Sequence, residues 1–162
     1  MIPYGKQDIT QADVDAVIEV LSSDFLTQGP TVERFESALS NYTGAKHTIA
    51  VNSATSALHL ACLALDVSPG DLVWTSPITF VASANCALYC GADIDFVDIE
   101  MHSNNMSIIA LRQKLQQAKE LGRLPKVVIP VHMGGLSCDM KSIFELSSEY
   151  GFKIIEDASH AV

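Results

Sequence analysis

From residue 48 to residue 156 the chain alternates between two kinds of segment, and this alternation limits its fold more than any other feature. Short runs rich in β-branched and apolar residues stand at 48–51, 72–75, 94–97, 127–131 and 153–156. Between them apolar residues recur at three- and four-residue spacing, which predicts helices over 55–65, 81–89, 108–121 and 140–150. Strands that are almost unbroken apolar runs, separated by helices, predict an α/β fold with a mostly parallel sheet and helices on both faces. Sheets of this kind hold their ligands at the carboxyl ends of the strands.

Ahead of the first strand the pattern is helical only. Val14, Val17, Ile18 and Leu21 share one face, with Thr10 as the cap and Asp13 where a capping-box partner belongs. A second helix is expected from Thr31, turning Val32, Phe35 and Leu39 inward and stopping at Gly44. Residues 1–45 therefore read as an N-terminal helical arm, and residues 46–162 as part of a sheet domain. The closing stretch Glu156-Asp157-Ala158-Ser159-His160-Ala161-Val162 follows the fifth strand with nothing to cover it. A sheet left so would have a naked edge, so the sequence is expected to be an N-terminal portion of a longer protein.

Composition removes several function classes. Hydrophobic residues make up 48% of the 162 and charged residues 18%, enough apolar material to bury a core. A net charge of −9 argues against nucleic acid or an anionic membrane surface as the main partner. No apolar run approaches the length of a membrane span, and Met1-Ile2-Pro3-Tyr4-Gly5-Lys6 lacks the apolar core of a signal peptide. A cytoplasmic protein is expected. Cys62, Cys86 and Cys90 fall in apolar helical patterns and Cys138 in a turn, with no CxxC pair, so the thiols read as reduced core residues and no metal site is expected.

Four places carry chemistry. In Val51-Asn52-Ser53-Ala54-Thr55-Ser56-Ala57-Leu58 a strand runs into small polar residues, and then Leu58, Ala61, Cys62 and Leu65 recur at helical spacing. The unpartnered first amides of that helix, with Ser53, Thr55 and Ser56 beside them, suit a phosphate; an ordinary serine/threonine N-cap would leave the same trace. Asp157 closes the strand at 153–156, where a buried carboxylate needs a cation or donors. A protonated pyridine nitrogen is one such partner; the first amides of a following helix or a metal are others. Phe80, just beyond the strand at 72–75, is placed to stack on a flat ring or to join the core. His160 is placed to hydrogen-bond a phenolic oxygen or to cap a turn on the surface, and His132, before Met133-Gly134-Gly135, is read as ordering its turn.

Side by side, these stretches resemble the DegT/StrS-type sugar aminotransferases, which are pyridoxal 5′-phosphate (PLP) enzymes of fold type I. The markers are Leu26-Thr27-Gln28-Gly29-Pro30, Asn52-Ser53-Ala54-Thr55-Ser56-Ala57-Leu58, Pro77-Ile78-Thr79-Phe80-Val81-Ala82-Ser83-Ala84-Asn85, and Glu156-Asp157-Ala158-Ser159-His160-Ala161. Two of them, Asn-Ser-Ala-Thr-Ser-Ala-Leu and Asp-Ala-Ser-His-Ala, are similar to the wording of the branch that serves pseudaminic acid biosynthesis.

The resemblance implies that the sheet domain is part of the PLP-binding large domain, with the small C-terminal domain absent. It implies that Ala54, Thr55 and Ser56 hold the cofactor phosphate, Phe80 stacks on the pyridine ring, Asp157 pairs with the ring nitrogen and His160 contacts the phenolic oxygen. Tyr4 and the stretch Asp24-Phe25-Leu26-Thr27 match positions that help bind a nucleotide-sugar. The implied reaction passes an amino group, from L-glutamate, to a 4-keto nucleotide-sugar, UDP-linked, in a homodimer whose subunits share active-site residues. Many family members carry glycine where Ala54 stands.

The family's Schiff-base lysine lies beyond Val162, and none of Lys6, Lys46, Lys114, Lys119, Lys126, Lys141 and Lys153 matches its position. The alternatives are a sugar 3-dehydratase of the same family, with histidine at that position, and a non-catalytic fragment or binding module. The chain by itself is expected to be inactive for want of that amine. Borohydride reduction of the chain mixed with PLP should therefore leave no stoichiometric pyridoxyl adduct at one site, as read by intact-mass spectrometry.

Overall fold

Thr10 stands extended ahead of the first helix, α1 (Gln11–Leu21), and its amide and hydroxyl both donate to Asp13 at 2.7 Å. That is the capping box the sequence predicts. The computed structural model describes residues 5–161; Tyr4 lies outside them. The chain divides into two units, one ending at Ala50 and the other beginning at Val51.

In the first unit α1 is followed by α2 (Pro30–Thr43), which carries Pro30 in its first turn and ends at Gly44 in the left-handed region (φ +74°). Two expectations fail here. Neither helix has a buried residue: Val32 is 48% exposed and Phe35 57%, and of the three residues expected inward only Leu39 is half-buried. Two short amphipathic helices have too little apolar surface to enclose both of their own stripes. Nor is 48–51 a strand. Its polar groups turn to α2 instead, with the Ala50 amide donating to Glu36 Oε1 at 2.8 Å and Thr48 Oγ1 lying 2.6 Å from Ser40 Oγ, while Ile49 is exposed.

The second unit is the α/β layer structure. Strands β1 (Leu72–Thr75), β2 (Asp93–Phe96), β3 (Val127–Ile129) and β4 (Lys153–Ile154) form a parallel sheet in the order β2-β1-β3-β4. Successive side chains of a strand face opposite ways, so each strand feeds two cores. Val73, Val127, Ile129 and Ile155 pack under α3 (Ala54–Ala64) and α4 (Ala82–Tyr89). Trp74, Val128 and Ile154 pack under α5 (Ile108–Glu120) and α6 (Met140–Tyr150), against Leu111, Leu115, Ile143 and Leu146. Each fully buried aliphatic side chain of this kind contributes about 1.5–3 kcal/mol.

β3 and β4 are shorter than the apolar runs suggest, and Pro130 is the reason: it has no amide proton to give to the ladder. Pairing resumes once beyond it, as a parallel bridge between Val131 and Asp157. The Asp157 amide donates to Pro130 O at 2.9 Å and the His132 amide to Asp157 O at 3.1 Å.

Two lysines fix the borders of the sheet. Lys114 blunts the outer edge at β2: its Nζ donates to Phe96 O at 2.7 Å, pairs with Asp95 at 2.7 Å and lies 5.0 Å from the centre of the Trp74 ring. The outward Phe96 amide is taken by Asp95 Oδ1 at 2.8 Å, so little of that edge is left to pair with another strand.

Lys126 ties the starts of β1 and β3. Its amide donates to Leu72 O, and its Nζ to Asp66 O at 2.6 Å and Asp71 Oδ2 at 2.8 Å. The hydrogen bond from Lys126 holds the Asp71 carboxyl below the usual aspartate range. A depressed value means the stabilisation is whole above about pH 4 and is lost as pH falls through the folded-state value. Lys126→Met should lower unfolding free energy at pH 7 by about 1 kcal/mol, and the deficit should shrink toward pH 3, measured by urea titration at several pH values.

Candidate functional site

At the carboxyl ends of β1, β3 and β4 lies a cavity of about 580 Å³, well within the size range of small-molecule sites. Ala54, Thr55 and Leu58 from the start of α3 form one side, and Ile78, Thr79, Phe80 and Ala82 from the turn into α4 form the next. Val131, His132 and Met133 follow β3, while Asp157, Ser159 and His160 follow β4. Sequence neighbours of four different segments meet because parallel strands all end on the same side.

One part of the cavity wall is the opening turn of α3. Ser53 is extended and its hydroxyl accepts the Ser56 amide at 3.2 Å, while its carbonyl accepts the Ala57 amide. Those two bonds leave the Ala54 and Thr55 amides as the free donors of the turn, beside the Thr55 hydroxyl. Ser56 does not line the cavity: its hydroxyl donates to Asn52 Oδ1 at 2.6 Å, and its amide already serves the cap.

The carboxylate in the cavity wall is Asp157, 7% exposed. Ser83 donates to its Oδ2 at 2.6 Å, and the hydroxyl and amide of Ser159 donate to Oδ1 at 2.6 and 3.3 Å. Three donors answer the burial of the carboxylate without any cation from the protein, and it faces the cavity. Phe80 is 73% exposed, so the core reading fails for it; its ring is available to a ligand.

His132 is 5% exposed and held at both nitrogens, accepting the Cys138 amide on Nδ1 at 3.1 Å and standing 3.0 Å from Glu156 Oε2 through Nε2. An amide needs a lone pair on Nδ1, which puts the ring proton on Nε2. His132 thus orders its turn, as read, and also forms cavity wall. Asn105, 4% exposed, clamps the same loop by accepting the Met133 amide and donating to Leu136 O.

Asp24, Phe25, Leu26 and Thr27 are exposed in the bend between α1 and α2 of the first unit. Burial pushes the Cys138 thiol up, and the hydrogen bond to Cys86 does the same for Cys62. The four cysteines are free, and no group of metal-ligating residues is assembled among the described residues.

Ser83, Ser159 and Asn105 carry no functional assignment from the sequence. The Asp-x-Ser spacing at 157–159, typical of a side chain folding back on its own turn, was a usable signal for Ser159. Nothing local distinguishes Ser83 from a small helix residue.

A sequence model of the DegT/DnrJ/EryC1/StrS aminotransferase family matches residues 7–162. The chain belongs to that family. It is 41% identical over 163 residues to the Campylobacter jejuni UDP-4-amino-4,6-dideoxy-N-acetyl-beta-L-altrosamine transaminase, covering 100% of this chain and 42% of the relative. Helicobacter pylori PseC, an aminotransferase involved in the biosynthesis of pseudoaminic acid, superposes with a TM-score of 0.88 at 33% identity, over 98% of this chain and 42% of that one. A Streptococcus pneumoniae chain solved in a PLP form gives 0.87 at 31% identity, over 99% and 43%. The chain spans about two fifths of the length of the curated relatives it matches. Among the described residues no helix is long and apolar enough to cross a membrane.

Gly135 lies tight against the backbone of His160, a residue of the cavity wall. It stands at φ +89°, and a Cβ there would lie 2.7 Å from the His160 carbonyl oxygen, which is backbone and cannot swing away. Gly135→Ala should lower unfolding free energy by about 1–3 kcal/mol, measured by urea or thermal melts against the native chain.

Proposed function

We propose that the cavity is the PLP site of a nucleotide-sugar aminotransferase, and that the whole protein passes an amino group from L-glutamate to a 4-keto, UDP-linked sugar. One observation carries the reading: Ala54, Thr55, Phe80, Asp157 and His160 line one cavity. The donor set fits the cofactor in kind, with free helix amides for a phosphate, an aromatic wall for a flat ring, and a buried carboxylate for a cationic nitrogen.

Bound there, PLP would supply an electron sink for the carbanion left when a proton is removed from carbon. The residues of this chain bind and tune. The Ala54 and Thr55 amides and the Thr55 hydroxyl hold the phosphate, where the helix dipole favours negative charge. Phe80 would offer its exposed aromatic surface to the ring. Asp157 favours the protonated ring nitrogen, the state that best accepts electrons. His160 sits within the same wall for the phenolic oxygen, and Ala158 to Ala161 close the turn that carries it through a 2.8 Å backbone bond.

For Tyr4 and Asp24-Phe25-Leu26-Thr27 the proposal keeps the nucleotide-sugar role that the family resemblance implies. It includes a homodimer, a cytoplasmic location and a place in surface-sugar synthesis of the pseudaminic acid type. The Campylobacter UDP-sugar transaminase and the Helicobacter aminotransferase of pseudoaminic acid biosynthesis support the last of these.

Pyridoxamine 5′-phosphate (PMP) tests the cavity without requiring a lysine. The native chain should bind it saturably, followed by cofactor fluorescence. Asp157→Asn and Thr55→Val should each weaken binding about tenfold, the scale of a lost charge-assisted hydrogen bond. Unchanged affinity in either variant would remove the proposal.

A further inference from the structure

Asp157 spreads its hydrogen bonds unevenly over two oxygens. Ser159 occupies Oδ1 twice, through its hydroxyl and its amide. Oδ2 has one partner among the described residues, the Ser83 hydroxyl at 2.6 Å. A carboxylate oxygen offers two acceptor directions, so the unfilled one is on Oδ2.

Ser83 is completely buried, in the first turn of α4 and among Ala82, Cys86 and Ala87. Packing there asks only for a small side chain. Burying a hydroxyl costs about 1–3 kcal/mol unless it finds a partner, so its partners explain it better than its volume. Besides Asp157 they are Thr79 Oγ1 at 2.7 Å and Phe80 O at 3.2 Å. The shortest of these contacts takes the Ser83 proton to the carboxylate. Thr79 must then donate in the Thr79–Ser83 pair, and the row has one direction: Thr79 to Ser83 to Asp157.

We infer that Ser83, oriented by Thr79, is a positioning residue that fixes the rotation of the Asp157 carboxyl group and turns the open acceptor of Oδ2 toward a cationic ring nitrogen in the cavity. This rests on the reading of the cavity as a PLP site. Thr79 lines the cavity and Ser83 does not, so the row couples a wall residue to the buried carboxylate through a hydroxyl the ligand never touches.

The test uses the native chain with PMP labelled with ¹⁵N in its ring, and the variants Ser83→Ala, Thr79→Val, Thr79→Ser and Asp157→Asn, each checked for a cooperative melt. Ser83→Ala should weaken PMP binding about tenfold and move the ring ¹⁵N resonance toward the unprotonated position, while the ³¹P resonance of the bound phosphate stays put. Thr79→Val, which keeps shape and loses the hydroxyl, should shift both readouts the same way by less, and Thr79→Ser should restore them. If Ser83→Ala does not melt cooperatively, Thr79→Val against Thr79→Ser decides the question. A merely structural serine would leave the ring nitrogen unmoved. An unmoved ¹⁵N resonance in both Ser83→Ala and Thr79→Val, alongside lost affinity in Asp157→Asn, overturns the inference and leaves the cavity reading intact. No PMP uptake by the native chain, or native affinity in Asp157→Asn, overturns the cavity reading, and the inference with it.

Discussion

A carboxylate taken out of water at the end of a parallel sheet has to be answered by donors, and much of this unit's geometry serves that need at Asp157. The side chain is 7% exposed, yet its donors are all uncharged: Ser83 from α4 and Ser159 from its own turn. Neutral donors offset the desolvation and leave the carboxylate's charge uncancelled. An ion pair with lysine or arginine would have satisfied it locally and spent that charge inside the protein. The negative charge therefore remains as a field inside the cavity, whose wall also includes the opening of α3 with its partial positive charge.

The alternation of strand and helix was legible because burial on both faces leaves a strong composition trace, and α6 (Met140–Tyr150) falls on its predicted bounds. The misses have local causes. Pro130 shortened β3 by withholding one amide. The segment at 48–51 had the composition of a strand but gave its polar groups to Glu36 and Ser40 of α2. Val32 and Phe35 showed a helical stripe, and a stripe says which residues share a face without saying that anything covers it.

At the site, Thr55, Phe80, Asp157 and His160 could be singled out because each follows or precedes a recognisable element end. Their convergence on one cavity is a property of strand order, which residue spacing does not reveal. Ser56 looked equivalent to Thr55 in sequence, and only the Ser53 cap distinguishes them by claiming the Ser56 amide. Ser83 was illegible for another reason: its meaning depends on a contact with a residue 74 positions away.

The same strand order has a consequence for how the chain acquires its shape. β1 sits between β2 and β3, and Asp157 reaches its place only when the segment after β4 has paired beyond Pro130. Thr55 and Asp157 stand at opposite ends of this unit's sequence. During synthesis the opening of α3 leaves the ribosome long before the carboxylate that lines the same cavity. Any small molecule that depends on both Thr55 and Asp157 arrives too late to guide the earlier steps.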